Sequence, residues 1–446
     1  MSTQTAPELS TFQVRLKPTP AQKLVLNLMI KVTNHAYNWC IHLVETKGFK
    51  PKQYDLEKVV GKTNSKDVDP DLRMPDDDWF FDNKLSRIKT RAVRQYASDY
   101  QIGLKKVKKR EYASKMRVEE GKSALEITPG KNLPTEFKTE LENEVNGYIA
   151  FQKECVNPMS ELQIKRYKPK KPEMCLMIFN TSMKGPVLLS RPVSRLPPLD
   201  HDMKIIKRPD KKFILCIPCK QSYTRKDFSA TEKTFAAIDP GIRTFATVYE
   251  PENNNFIEFG NESWFKSSKI QKIQKQIDET NALLTKVRQR GRGAAIIENY
   301  ERRLKKLHFK IKKKVDGLHG KINGHIRKNY SQVAWGDMAP KQILMKDGLT
   351  HGTKRKMQML SHGRQHEKLA RIEGVTMQNE KYTSMTCSRC GYVNKKLGSA
   401  SRYVCPNCEQ DIGRDENASI NIWRKYTGTF FRTIGGEHVY EDDVKK

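Results

Sequence analysis

The chain has 446 residues, more than one small domain uses, and 37% are hydrophobic against 30% charged, which excludes wholesale disorder. Its 83 Lys and Arg against 51 Asp and Glu give a formal net charge of +32, which calls for a polyanionic partner. No apolar run approaches the roughly 18 residues of a membrane span and residues 1–12 lack a signal-peptide core, so the expected partner is nucleic acid inside the cell.

In chain order, residues 12–17 alternate as a strand and stop at Pro18 and Pro20. Residues 21–40 then read as a helix with Leu24, Met29 and Ala36 among its apolar positions. A second helical stretch over 85–112 carries Ile88, Ala92, Tyr96 and Leu104 at helical spacing. It ends in the basic run Lys105, Lys106, Lys108, Lys109 and Arg110, which fits a solvated face and an RNA contact equally well. Residues 113–160 are polar, with weak helical signals. Over 165–172, Lys165, Arg166, Tyr167, Lys168, Lys170 and Lys171 form a stiff basic segment, suited to a phosphate backbone with one stacked base or to a nuclear-import signal. Short apolar stretches at 174–179, 186–190 and 213–219, split by Pro and Gly, predict a small β-barrel-like domain.

Residues 234–241 read as a buried strand ending in a turn, followed by strands over 243–249 and 256–259. A long basic helical hairpin comes next, with Ile270, Ile273 and Ile277 on one arm, a break at 291–293, and Val315, Leu318, Ile322 and Ile326 on the other. A strand over 332–335, a helical stretch over 354–371, a strand over 375–379, a cysteine module and a helix over 415–425 complete the pattern. Without the cysteine module the order is β-β-β-α-β-α-β-α, that of an RNase H-like fold.

Cys40, Cys155, Cys175, Cys216 and Cys219 are scattered and read as core thiols or isolated residues. Cys387 and Cys390, then Cys405 and Cys408, form two C-x-x-C pairs separated by fourteen residues. Each such turn puts two thiolates on one side of a tetrahedral ion, so the four predict one structural zinc with no position open for water. Asp239 ends a buried apolar strand, where ligand sites of parallel sheets lie and an unpaired carboxylate is costly; a plain turn Asp before Pro-Gly is the simpler reading. Asp415 opens a helix whose small residues Ala418 and Ser419 let it press on the sheet, with an N-cap as its simpler reading.

DPGIRTF at 239–245, YTSMTCSRCG at 382–391 and RDENASINI at 414–422 resemble the RuvC motifs and zinc ribbon of the TnpB family and its eukaryotic and viral relatives, the Fanzors. RLKPTPAQ at 15–22 resembles their start. The resemblance is good over 231–425 and thin over 45–160. It implies an α+β multidomain chain with an RNase H-like (RuvC) core, an inserted zinc ribbon, an N-terminal helical recognition domain and a β-barrel-like wedge. It also implies RNA-guided cleavage of double-stranded DNA beside a short target-adjacent motif, with two catalytic Mg²⁺ ions, an omega-type guide RNA and nuclear localisation in a eukaryotic or giant-virus host. A monomer with RNA and a dimer are both compatible with it.

The family's second RuvC motif is a strand followed by Glu-Asp-Leu, whereas VAWGDM at 333–338 puts Gly336 at the glutamate position. Asp337 alternates to the other side of the strand. The resemblance to Fanzors implies a glutamate relocated to the end of the following strand, where Glu380 stands, with Gly336 leaving it room. Asp239, Glu380 and Asp415 are therefore the implied metal-binding triad. The implied divisions are 1–30 and 161–230 for the wedge, 31–160 for recognition, 231–380 and 411–426 for RuvC, 381–410 for the ribbon and 427–446 for a tail. A nuclease-inactive guided DNA binder and a zinc-ribbon RNA-binding protein stay open beside the nuclease.

Overall fold

The computed structural model describes residues 9–62, 64–74, 78–82, 85–119, 123–124, 133–134, 147–220, 234–291, 293–338, 340–344, 349–398, 400–434 and 437–440. Of the stretch 113–160, expected to carry weak helical signals, residues 120–122, 125–132 and 135–146 lie outside the described residues, as do 1–8 and 441–446. The chain divides into two compact units, Met1–Lys226 and Asp227–Lys446. None of the helices among the described residues is long and apolar enough to cross a membrane.

In the first unit, β1 (Leu9–Lys17) buries Val14 and Leu16 and exposes Gln13 and Arg15, as alternation requires. Thr19 then caps α1 (Pro20–Lys47), receiving the Gln22 N–H while the Gln22 side chain answers the Thr19 N–H; Gly48, at φ 68°, ends the helix. Met29 and Ala36 are buried, but Leu24 is 71% exposed, which corrects its placing on the apolar face. Next come α2 (Gln53–Val60), α3 (Asp78–Asp82) and α4 (Ser86–Glu119). Tyr37 of α1 donates to Asp99 of α4 at 2.8 Å and its ring meets Tyr96 edge-on, locking the two long helices. Lys89 is wholly buried, its ammonium answered by the carbonyls of Phe80 (2.9 Å) and Lys62 (3.3 Å) and by the Phe80 ring.

The remaining elements of this unit are β2 (Gly147–Phe151), β3 (Val156–Pro158), α5 (Glu161–Tyr167), β4 (Cys175–Ile178), α6 (Asn180–Met183), β5 (Val187–Leu189), β6 (Met203–Lys207) and β7 (Phe213–Lys220). The strands form one antiparallel sheet in the order β2-β6-β7-β1-β5-β4-β3. Its outer strands, β2 and β3, are joined by residues 152–155 alone, a span of at most about 14 Å, so the sheet bends back toward itself as a barrel does. The first helix starts at Pro20, one residue before the expected 21, and β2 and β3 join the same sheet as β1. The basic segment over 165–172 is not a single stiff stretch, because α5 ends inside it and Lys168 turns the chain at φ 43°.

In the second unit, β8 (Phe235–Pro240), β9 (Ala246–Glu250) and β10 (Asn255–Phe259) form the expected meander. After α7 (Glu262–Ser267), the hairpin of α8 (Ile270–Gln289) and α9 (Ala294–Asn329) packs Ile273 and Ile277 against Leu307, Ile311 and Val315. Strand β11 (Gln332–Gly336), helices α10 (Pro340–Leu344), α11 (His351–Leu360) and α12 (His362–Leu369), and β12 (Val375–Gln378) follow. The helix expected over 354–371 is thus two helices, broken where Ser361 adopts φ 54°. The sheet order is β10-β9-β8-β11-β12, with β11 parallel to both neighbours.

The hairpin β13 (Arg402–Val404) and β14 (Asp411–Gly413) precedes α13 (Arg414–Tyr426). One sheet face carries Ala236, Ile238, Val333 and Trp335 against α9; the other carries Ala237 and Ala334 against Ile422 of α13. Small residues on that second face bring α13 close to the sheet. Near the C-terminus β15 (Phe431–Ile434) pairs with β16 (Glu437–Tyr440) and docks on the cysteine module through Thr433, which bonds the Gly391 carbonyl at 2.9 Å and the Cys390 carbonyl at 2.6 Å. Gly391, at φ 72°, leaves no room for a Cβ, which would stand 2.6 Å from the Phe431 ring.

Candidate active site

Asp239 is partly buried at the end of β8, where the chain turns at Gly241. The Gly241 N–H closes the turn on the Phe245 carbonyl at 3.1 Å, and the Phe245 ring stacks on His362 with centroids 4.5 Å apart. Burial, aided by the neighbouring His319, holds His362 down at about 4, so a neutral imidazole backs the turn.

Asp415 is the second residue of α13. The capping is done elsewhere, since Glu416 accepts the Gly413 N–H at 3.0 Å. The Asp415 carboxylate instead faces the β8 turn: its Oδ2 is 3.8 Å from where a Cβ on Gly241 would stand.

Glu380 lies two residues past β12. A Cβ built on Gly336 would stand 2.8 Å from Pro240 Cδ and 2.9 Å from Glu380 Cγ, with Glu380 Oε1 closer still. The glutamate therefore lies across the space that residue 336 leaves open. Among the described residues no hydrogen-bond donor reaches its buried Oε1, an arrangement that costs free energy unless a proton or cation answers it. Asp337 points away, 57% exposed and 3.9 Å from His366.

Glu380 and Asp415 both act on Asp239. Asp239 is raised well above the ordinary carboxyl range by burial and then by the charges of Glu380 and Asp415, against the pull of Arg414. Glu380 is pushed up to about 8 by burial and then by Asp337. Burial also raises Asp415, which Arg414 and Arg243 draw down. Such a set of hard oxygen donors suits divalent cations.

In the cysteine module, Cys387 and Cys408 have their sulfurs 3.6 Å apart, as do Cys390 and Cys405. A zinc tetrahedron with 2.3 Å bonds has edges of about 3.8 Å, so the four sulfurs fit zinc. Burial alone would raise the Cys390 thiol, but donors led by the Asn407 amide bring it to about 7. The module is tied to α13 by two buried asparagines one turn apart. Asn417 accepts the Ser388 N–H at 2.8 Å and donates to the Thr386 carbonyl at 2.7 Å; Asn421 donates to the Thr383 and Thr386 carbonyls at 2.8 and 2.7 Å. The sequence reading missed this fastening, although Asn417 and Asn421 stand at i and i+4 beside the buried Ala418 and Ile422.

The expected nucleic-acid residues Lys105, Lys106, Lys108, Lys109 and Arg110 are all exposed on α4, as are Lys165, Arg166, Lys168, Lys170 and Lys171 around the end of α5. Tyr167 is half-buried, with the Arg166 guanidinium 5.4 Å from its ring centre. Cys216 and Cys219 are buried in β7, as core thiols should be.

Two families match parts of the chain. The one described as Cas12f1-like, TNB domain, covers residues 365–422, which include Glu380, the four cysteines and Asp415. The one described as a helix-turn-helix domain covers 9–46, which here form β1 and one unbroken stretch of α1. A putative transposase of Acanthamoeba polyphaga mimivirus is 30% identical over 49% of this chain and 43% of its own length. A TnpB-like protein of the same virus is 28% identical over 64% of this chain and 54% of its own. The chain thus spans about half the length of these relatives. A solved structure of the mini-RNA-guided endonuclease CRISPR-Cas phi3 aligns over 94% of this chain and 92% of its own at 10% identity, with a TM-score of 0.45. That score is too low to carry an argument.

Elemental analysis should find one zinc per chain, and Cys387→Ser should lose it; a folded wild type without zinc would contradict the module's assignment.

A second expectation concerns pH. A carboxyl raised on folding holds its proton more tightly in the folded state, so the fold loses stability as pH rises from 4.5 through about 8. Without Mg²⁺, Glu380→Gln should therefore melt above the wild type at pH 8, by an amount worth about 1–3 kcal/mol. The gap should close as pH falls toward 4.5, and thermal scans showing the same gap at both ends would refute the linkage.

Proposed function

We propose that the chain is an RNA-guided DNA endonuclease of the TnpB and Fanzor kind, cutting double-stranded DNA beside a short target-adjacent motif at a RuvC site of Asp239, Glu380 and Asp415. The observation that carries the reading is the Glu380 side chain lying across Gly336, against Pro240 and within electrostatic reach of Asp239. It supplies a carboxylate where the chain lacks one at 336. The sheet order, with its parallel β8, β11 and β12, supports an RNase H-like core.

Mg²⁺ ions held by these carboxylates would polarise the scissile phosphate and activate water. The chain's own part is to hold three acids together. The β8 turn fixes Asp239 against the Phe245 and His362 stack, Gly336 opens a seat for Glu380, and the asparagine ties of α13 fix Asp415. Base pairing with the guide would supply sequence specificity, and exposed lysines on α4 and α5 would take the RNA backbone. Nuclear localisation belongs to the same reading.

The chain expressed with its native flanking locus should co-purify with one discrete structured RNA, as RNA sequencing would reveal. Recovery of only heterogeneous cellular RNA would favour a simple RNA-binding protein.

With guide and target supplied, Glu380→Gln should cut at least about a hundredfold more slowly while still binding DNA. Asp337→Asn should keep substantial activity. Gly336→Ala should also be impaired, since its methyl displaces Glu380. Undiminished cleavage by Glu380→Gln would overturn the assignment, and a wild type that binds but never cuts would leave a guided binder.

A further inference from the structure

Within the first unit, a cavity of about 500 Å³ opens between the start of α4, strand β2, the 152–155 link and residues 179–182. That volume lies in the roughly 300–1,000 Å³ range of small-ligand pockets. Three arginines at i, i+4 and i+7 of one helix face, Arg87, Arg91 and Arg94, line it. Arg91 is held at 2.5 Å by Asp202, Arg94 at 3.5 Å by Glu57, and Arg87 bonds the Cys155 thiol. Exposed ion pairs of this kind are weak, so a phosphate can displace the carboxylates with little loss.

The opposite wall carries Phe151 and Phe179, with ring centroids 4.8 Å apart. Phe179 has a left-handed backbone, φ 48° and ψ 58°, which a bulky side chain adopts only at a cost. Its N–H still bonds the Cys155 carbonyl at 2.9 Å, which helps hold the strained residue at the cavity wall. Guanidinium groups on one side and an aromatic pair on the other match the two ends of a nucleotide, phosphate and base.

We propose that this cavity takes one unpaired nucleotide of the guide RNA, with its phosphate on Arg87 and Arg94 and its base against Phe179. The inference rests on the guide-RNA reading above. RNA is favoured over target DNA because RNA loops already offer unstacked bases, whereas a duplex base must first be extruded at a cost of a few kcal/mol.

The test uses the isolated ribonucleoprotein, cross-linked with ultraviolet light, digested and read by mass spectrometry. The expected result is a ribonucleotide adduct on the peptide containing Phe151 to Cys155 or the one containing Phe179. Arg87→Ala combined with Arg94→Ala, both at exposed positions, should weaken binding of the same RNA about tenfold and flatten its salt dependence. Phe179→Leu, with folding checked by thermal scan, should weaken binding about tenfold without changing the salt slope. If the protein holds its discrete RNA but shows no adduct there, and the double variant binds like wild type, the cavity assignment falls while the proposed function stands. A deoxyribonucleotide adduct from the target complex would give the cavity to DNA and overturn the RNA assignment. Protein carrying no discrete RNA would remove both.

Discussion

Burial raises the carboxyls of Asp239, Glu380 and Asp415, and the charges of Glu380 and Asp415 make Asp239 harder still to ionise. Nothing in the acids themselves keeps them together. The rest of the second unit can be understood as the frame that opposes this repulsion. Parallel strands β8, β11 and β12 deliver Asp239 and Glu380 at the same, carboxyl, ends of the strands, and a helix pressed on the small residues Ala237 and Ala334 carries Asp415 toward the β8 turn. Arg414 and Arg243 offset part of the negative charge.

The cysteine module acquires a mechanical meaning in this frame. It interrupts the chain between Glu380 and Asp415 and is fastened to the helix that carries Asp415. Asn417 and Asn421 form that fastening, and their amides use buried backbone groups of the 383–388 segment that have no water to turn to. On its far side the module is clasped by the β15–β16 hairpin through Thr433 and Gly391.

Much of this was legible in the residues themselves. Two spaced C-x-x-C pairs and an Asp ending an apolar strand are local patterns whose consequences follow from geometry, whereas the glutamate missing at 336 was legible only through the family resemblance. The breaks in legibility have physical reasons too. Strands β2, β3 and β6 are three to five residues long, too short for an alternating pattern to stand out, so only their partners identify them. Ser361 splits one helical pattern by a left-handed turn that no Gly or Pro announces. The C-terminal hairpin owes its place to packing of Phe431 over Gly391, a contact forty residues apart in sequence and invisible to any periodicity.

The close fit between Gly336 and Glu380 also sets which side chains the chain tolerates at position 336. A Cβ there would stand 2.8 Å from Pro240 Cδ and 2.9 Å from Glu380 Cγ, so even alanine has to displace the glutamate. Positions 336 and 380 are therefore coupled although forty-four residues of chain separate them, and a substitution at one is felt only in the company of the other.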